Sequence, residues 1–192
     1  YSVSNEEVTQ YSKSIYEKSI YMEEMIEELR LNEQLMQDKV TLNKESVDLK
    51  SFVYEIIEDI LKHPDFTDRT IVFQAEENIT VNVSKDLMHR AIENLIYNAL
   101  IHNDVETIVT VDVRVIGEES IIEITDNGQG MNSEELDQLF NRYYRGSNTK
   151  NYKGAGLGMS IATAVIEAHD GEIDVNSEVD KGTVIKIILS IT

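Results

Sequence analysis

The sequence predicts an α+β two-layer sandwich, with helices on one face of a mixed sheet, preceded by a long bundle helix. Three observations predict it. Residues 5–44 contain no Gly or Pro and repeat an apolar residue at every seventh position. Farther on, short alternating segments come in pairs that read as hairpins. Amphipathic stretches of helical period lie among those pairs, without the regular strand-helix-strand repeat of a dinucleotide fold.

The leading stripe is Val8, Ile15, Met22, Leu29 and Met36, widened by Tyr11, Met25, Ile26 and Val40 to the face of a bundle helix. Alone, such a helix buries nothing. Self-association into a bundle is the natural inference, and packing back onto its own sandwich is the alternative. A second helix is predicted over 48–62, where Phe52, Val53, Ile56, Ile57, Ile60 and Leu61 are apolar, and it stops at the only proline, Pro64. Strands are predicted over 70–74 and 79–83, then a helix over 85–102. Two strands over 106–115 and 120–125 are joined across Gly117 and Glu118, and helices follow over 133–140 and 158–169. Strands over 172–176 and 183–190 close the chain. A boundary between Thr41 and Asp48 divides a helical part, 1–45, from a globular part, 46–192.

Charge and composition exclude several functions. Among 192 residues, 17 are Lys or Arg and 36 are Asp or Glu, a net charge of −19, which opposes nucleic acid or an anionic membrane surface as partner. The apolar share of 41% and charged share of 28% suit a globular domain rather than a disordered acidic tail. The absence of Cys removes disulfides, thiolate metal sites and a cysteine nucleophile, and is compatible with a reducing compartment. No stretch approaches the roughly 18 consecutive apolar residues of a bilayer span. Even VIKIILSI is broken by Lys186, and no signal peptide is visible. Because the chain starts at Tyr1, it reads as a piece of a longer protein, with any membrane attachment in segments not present here.

Three constellations carry chemistry. On the helix HRAIENLIYNALIHN, Asn94 and Asn98 are four apart and share one face. They read either as carboxamides facing a hydrated magnesium ion, which keeps most of its waters, or as two satisfied surface amides. Next, Asp126-Asn127-Gly128-Gln129-Gly130 follows the apolar strand IIEIT. A carboxylate at a strand end can accept from an exocyclic amine, and the glycines let backbone approach a flat ring, although such a pattern also occurs in ordinary turns. Third, Gly154-Ala155-Gly156-Leu157-Gly158 runs into a helix, whose N-terminal N–H groups and dipole suit a phosphate. No acidic residue lies between Asp137 and Glu167, whereas Arg142, Arg145, Lys150 and Lys153 do. In so acidic a chain that gap is the footprint expected of a polyphosphate, with a solvated basic loop as the alternative.

In this order, the motifs resemble the catalytic and ATP-binding domain of sensor histidine kinases, within the GHKL superfamily shared with gyrase and MutL. NLIYNA matches the family's N box, DNGQGM its first glycine box, FNRYYR its F box and GAGLGMSIA its second glycine box; HDGEIDVNS and KGT match its closing strands. The resemblance implies a Bergerat-type sandwich holding ATP and Mg2+. Asn98 would ligate magnesium, Asn94 would lie near the phosphates, and Asp126 would accept the adenine amino group. Gly128 and Gly130 would shape the ring pocket. Lid residues, above all Arg145 with Lys153, would meet the terminal phosphate, while Gly154, Gly156, Leu157 and Gly158 would hinge the lid and hold phosphate oxygens. Thr183 would lie near the base, and His102 would either wall the purine pocket or serve a structural role.

Hydrolytic members such as gyrase place a Glu where this chain has Asn94, and an amide is no base at neutral pH. Glu93 points about a hundred degrees away around the helix. Transfer to an outside nucleophile is therefore expected. The leading helix, through the VDL of residues 47–49, resembles the second helix of the family's dimerisation and phosphoacceptor hairpin. The phosphoacceptor histidine is absent, since His63, His89, His102 and His169 all fall elsewhere. The parent is expected to be a homodimer and to pass phosphate to a cognate response regulator. This fragment is expected to be the cytoplasmic part of a membrane-anchored protein. Alternatives are a GHKL serine kinase of the anti-sigma type and a nucleotide-free regulatory dimerisation module. Two departures stand out: Ile101 replaces the usual N-box Lys, and Asp180 replaces a frequent Gly.

Overall fold

The computed structural model describes residues 5–37, 40–141, 144 and 156–191. Arg145, Lys153 and Gly154, expected at the phosphates, lie outside the described residues, as do Arg142 and Lys150. Helix α1 (Asn5–Met36) comes first, followed by β1 (Glu45–Asp48) and α2 (Leu49–Lys62). Then come β2 (Thr70–Ala75), β3 (Thr80–Val83), α3 (Lys85–Ile101), β4 (Ile108–Ile116) and β5 (Glu119–Asp126). A short α4 (Ser133–Gln138), α5 (Gly158–Ala168), β6 (Glu172–Glu178) and β7 (Gly182–Ser190) complete the order.

Helix α2 shows why these residues form these elements. Asp48 caps it by accepting the Ser51 N–H at 2.9 Å, which holds that carboxyl below its ordinary pKa. Leu49, Phe52, Val53, Ile56, Ile57 and Ile60 recur at helical spacing and are all buried, each contributing roughly 1.5–3 kcal/mol on leaving water. Pro64, which cannot continue a helix, follows the last residues.

The main sheet has the order β2-β4-β5-β7-β6; β2 pairs parallel to β4 and the other neighbours are antiparallel. Val109, Val111 and Val113 of β4 point into the core, together with Ile122 and Ile124 of β5. The helices cover that face: α3 packs on α5, and α2 on α3. On the opposite face Arg114 bonds Glu123 at 2.8 Å and also pairs with Asp112. The molecule is thus an α+β two-layer sandwich, as the pairing pattern predicts.

Two expectations change. Helix α1 ends at Met36 rather than near Lys44, and residues 45–48 form a strand, β1, antiparallel to β3 with Val47 opposite Val81. Only Val47 of β1 is buried, too little for an alternating pattern to show. Helix α1 also divides along its length. Its last third packs on α5 through Leu29, Leu31 and buried Leu35, with buried Asn32 donating to Ser160 Oγ at 2.9 Å. Toward the N-terminus, Val8, Tyr11, Ile15, Met22 and Ile26 are exposed. Among the described residues no helix is long and apolar enough to cross a membrane.

Candidate functional site

Strand β5 delivers Asp126 to the sheet's end, where it is only 5% exposed. Burial pushes its carboxyl above the ordinary range, opposed by hydrogen bonds from the Gly128 N–H (2.9 Å), the Thr183 backbone N–H and the Asn103 amide. A carboxylate offers about four acceptor positions, so these neighbours leave room for a further donor. Thr183 sits opposite Asp126 in the β5–β7 register, and its hydroxyl is 2.9 Å from Ser177 Oγ.

The loop after Asp126 is bolted on three sides. Gln129 N–H donates to Asn103 Oδ1 at 3.0 Å, and Gln129 Nε2 to the His102 carbonyl at 2.8 Å. Asp180 N–H donates to the Gln129 carbonyl at 2.8 Å, and Met131 N–H to Ser177 Oγ at 2.9 Å. Gly128 and Gly130 are required here. A Cβ at Gly128 would stand 1.8 Å from Asn103 Oδ1, and at Gly130, whose φ is +61°, 2.0 Å from the Glu178 carbonyl oxygen.

Asn94 and Asn98 lie half-buried on one face of α3, backed by buried Leu95 and Ala99. Asn94 reaches toward the start of α5: a Cβ at Gly158 would meet its Cγ at 3.5 Å, an ordinary contact. Glu93 instead lines a groove of about 450 Å³ between α2 and α3, with Phe52, His89 and Arg90. His102 caps α3, donating its N–H to the Asn98 carbonyl at 3.3 Å. Ile101, where the resemblance expects Lys, packs against the core.

Gly156 has φ +70°, Leu157 is 1% exposed, and α5 begins at Gly158 with no acidic residue in its first turn. The free N–H groups there are compatible with a phosphate. Asp180 adopts φ +60°, which explains why glycine is frequent at that position, and Asp is among the residues that tolerate the left-handed region.

The structure therefore gathers Asp126, Gly128, Gly130 and Thr183 at one corner and brings Asn94 to Gly158. It adds two residues that sequence reasoning missed. Asn103 touches Gly128, Gln129 and Asp126, and Arg69 Nη1 donates to the Asn103 carbonyl at 2.9 Å and also bonds the Asp104 carbonyl. The available signal was an Asn just past a helix end, where its amide can return to the carbonyl four residues earlier, as Asn103 does to Ala99 at 2.9 Å.

Comparison with known proteins agrees with this architecture. The chain is 38% identical over 190 residues to the sensor histidine kinase YvrG of Bacillus subtilis, covering 98% of this chain and 33% of that protein. It is 35% identical over 136 residues to the heme sensor protein HssS of Staphylococcus saprophyticus, covering 69% of this chain and 29% of the relative. The chain thus spans about a third of the length of these relatives. In fold it is similar to the histidine kinase AdeS of Acinetobacter baumannii, with a TM-score of 0.79 at 20% identity, covering 100% of this chain and 87% of the other. Residues 83–192, from the end of β3 through every element of the corner described above, match the family described as histidine kinase-, DNA gyrase B-, and HSP90-like ATPase, and the chain belongs to that family.

Proposed function

We propose that this chain is the ATP-holding part of a sensor histidine kinase, with residues 1–45 as the second helix of a dimerisation hairpin and 46–192 as the catalytic domain. The observation that carries the kinase reading is Asn94. It faces Gly158 at the start of α5, where a hydrolytic relative would place a general base, and its amide cannot take a proton from water. The nearest carboxylate in sequence, Glu93, faces another groove.

The donor set fits the nucleotide. Asp126 keeps acceptor capacity for an exocyclic amine, and the start of α5 offers N–H groups with no competing acid. Among the described residues no group of three His, Cys, Asp or Glu could hold a metal. Magnesium would accordingly rest on Asn98 and on phosphate oxygens. Bound ATP would supply the transferable γ-phosphoryl group, with magnesium neutralising its charge. Asp126 orients the base, Asn98 and Asn94 orient the phosphates, and the glycines before α5 admit close approach, with Arg145 and Lys153 completing the charge balance. In the parent, a histidine outside this chain would take the γ-phosphoryl, releasing ADP, and an aspartate of a response regulator would take it in turn. A homodimeric parent anchored in a membrane, with this part cytoplasmic, completes the proposal.

Calorimetric titration of ATP, with and without magnesium, beside Asp126→Asn tests the reading. Magnesium-dependent binding that needs Asp126 supports it. Absence of binding in the unsubstituted chain overturns it in favour of a nucleotide-free regulatory module.

A further inference from the structure

The purine carboxylate is only as selective as the groups that hold it. We infer that Asn103 is a positioning residue for the base: its carboxamide bridges Asp126, the Gly128–Gln129 backbone and the end of α3, and thereby sets the preference for a 6-amino purine. This inference rests on the nucleotide reading above.

Asn103 is 8% exposed, and both ends of its amide are in use. Nδ2 donates to the Ala99 carbonyl at 2.9 Å, and Oδ1 accepts the Gln129 N–H at 3.0 Å. The amide also lies close enough to the Asp126 carboxylate to favour its charged form. A flipped amide would set its NH2 against the Gln129 N–H and its oxygen against the Ala99 carbonyl, so only one orientation satisfies all partners. Gly128 closes the remaining space, since a Cβ there would stand 1.8 Å from Oδ1. The backbone of Asn103 is equally fixed. Its carbonyl accepts from Arg69 Nη1 at 2.9 Å, a cation at a helix C-terminus, where the dipole favours it.

The consequence for recognition follows from the donors on Asp126. With the Gly128 N–H bonded to Oδ1 at 2.9 Å and the Thr183 N–H and Asn103 amide beside it favouring the charged form, the carboxylate is held in one orientation with an acceptor position left. An adenine amine can donate to it; the 6-oxo group of a hypoxanthine or guanine base presents an acceptor to an acceptor. Removing the Asn103 amide loosens the carboxylate and the Gln129 backbone that Oδ1 holds, and a site with unpaired polar groups discriminates poorly. The same amide is bonded to Ala99, the residue after Asn98, so the base corner and the carboxamide face of α3 are held as one unit.

The test titrates ATP and inosine triphosphate separately into the unsubstituted chain, Asn103→Asp and Asn103→Ser, with urea melts of each. Asn103→Asp keeps the shape and the Oδ1 acceptor but removes Nδ2, so a role in filling space tolerates it, whereas a donor role does not, because it sets a carboxylate against both the Ala99 carbonyl and Asp126. The expected result is at least a tenfold preference for ATP in the unsubstituted chain, falling toward parity in Asn103→Asp while inosine triphosphate affinity changes less than threefold. If either variant folds and keeps the original preference, the inference is overturned and the nucleotide reading stands. Should Asn103→Asp not fold, Asn103→Ser supplies the same ratio. An unsubstituted chain that binds neither nucleotide overturns both.

Discussion

His169 links the C-terminus of α5 to the N-terminus of α3, and its protonation should loosen the sandwich on mild acidification. The imidazole is 7% exposed. Nδ1 lies 2.7 Å from the Val165 carbonyl and so carries the proton, which leaves Nε2 to accept the Ser84 N–H at 2.9 Å. Burial depresses its pKa, and the Lys44 charge adds to that, while the Val165 bond and Asp170 oppose it. The unfolded chain therefore takes up this proton near pH 6.5, before the folded one does, and stability present above that pH is lost as pH falls. The slope attributable to one group reaches at most about 1.4 kcal/mol per pH unit. The total is bounded by the cost of setting a protonated Nε2 against the Ser84 N–H, a buried donor left without an acceptor, about 1–3 kcal/mol. Urea denaturation at pH 7.5, 6.5, 5.5 and 5.0 measures it, comparing the unsubstituted chain with His169→Gln, whose Oε1 can accept from Ser84 without titrating. The remaining histidines and carboxylates cancel in that difference. Equal slopes for the two chains between pH 6.5 and 5 would refute the reasoning.

Other outcomes are equally specific. Asp126→Asn should weaken ATP binding roughly 10- to 100-fold, the worth of a charged hydrogen bond of about 1.5–3 kcal/mol, in a calorimetric titration. Gly182→Ala should cost more than about 3 kcal/mol in urea melts, since its φ is +101° and a Cβ would stand 1.9 Å from the Asp126 carbonyl oxygen. Gly117→Ala, with φ +67° and nothing within 4 Å, should cost only the backbone term of about 1–2 kcal/mol, and comparable losses at both positions would contradict this account. Leu35→Ala should release the last third of α1 from α5, seen as faster amide exchange over residues 29–36 with β4 and β5 still protected.

Much of this was legible because it is local. The six-residue apolar stripe of α2, the break at Pro64 and the turn at Gly117 state their conformations in adjacent residues, and the structure follows them. The order of the glycine motifs likewise points to the corner at Asp126. What escaped was pairing across sequence distance. Strand β1 exists because Val47 meets Val81, a contact no short window contains. Asn103 reads as one more polar residue at a helix end until β5 brings Asp126 beside it. The His169–Ser84 bond spans 85 residues. The stripe of α1 was visible, but its partner was not: only Leu29 and its neighbours find α5, because the helix departs from the sandwich toward its N-terminus.

The pinning of the Gln129 loop by residues 177–183 has a consequence for biosynthesis. Asp126 leaves the ribosome more than fifty residues before Thr183, and until β7 arrives it has neither the Thr183 N–H nor the Asp180 bond that secures its loop. A nascent chain halted after β5 carries every polar group of the base corner contributed by α3 and β5 yet cannot hold them in place. Completion of the last hairpin is thus the event that makes the corner, and a truncation of a dozen residues at the C-terminus undoes a pocket whose carboxylate and glycines, Asp126, Gly128 and Gly130, lie more than fifty residues upstream.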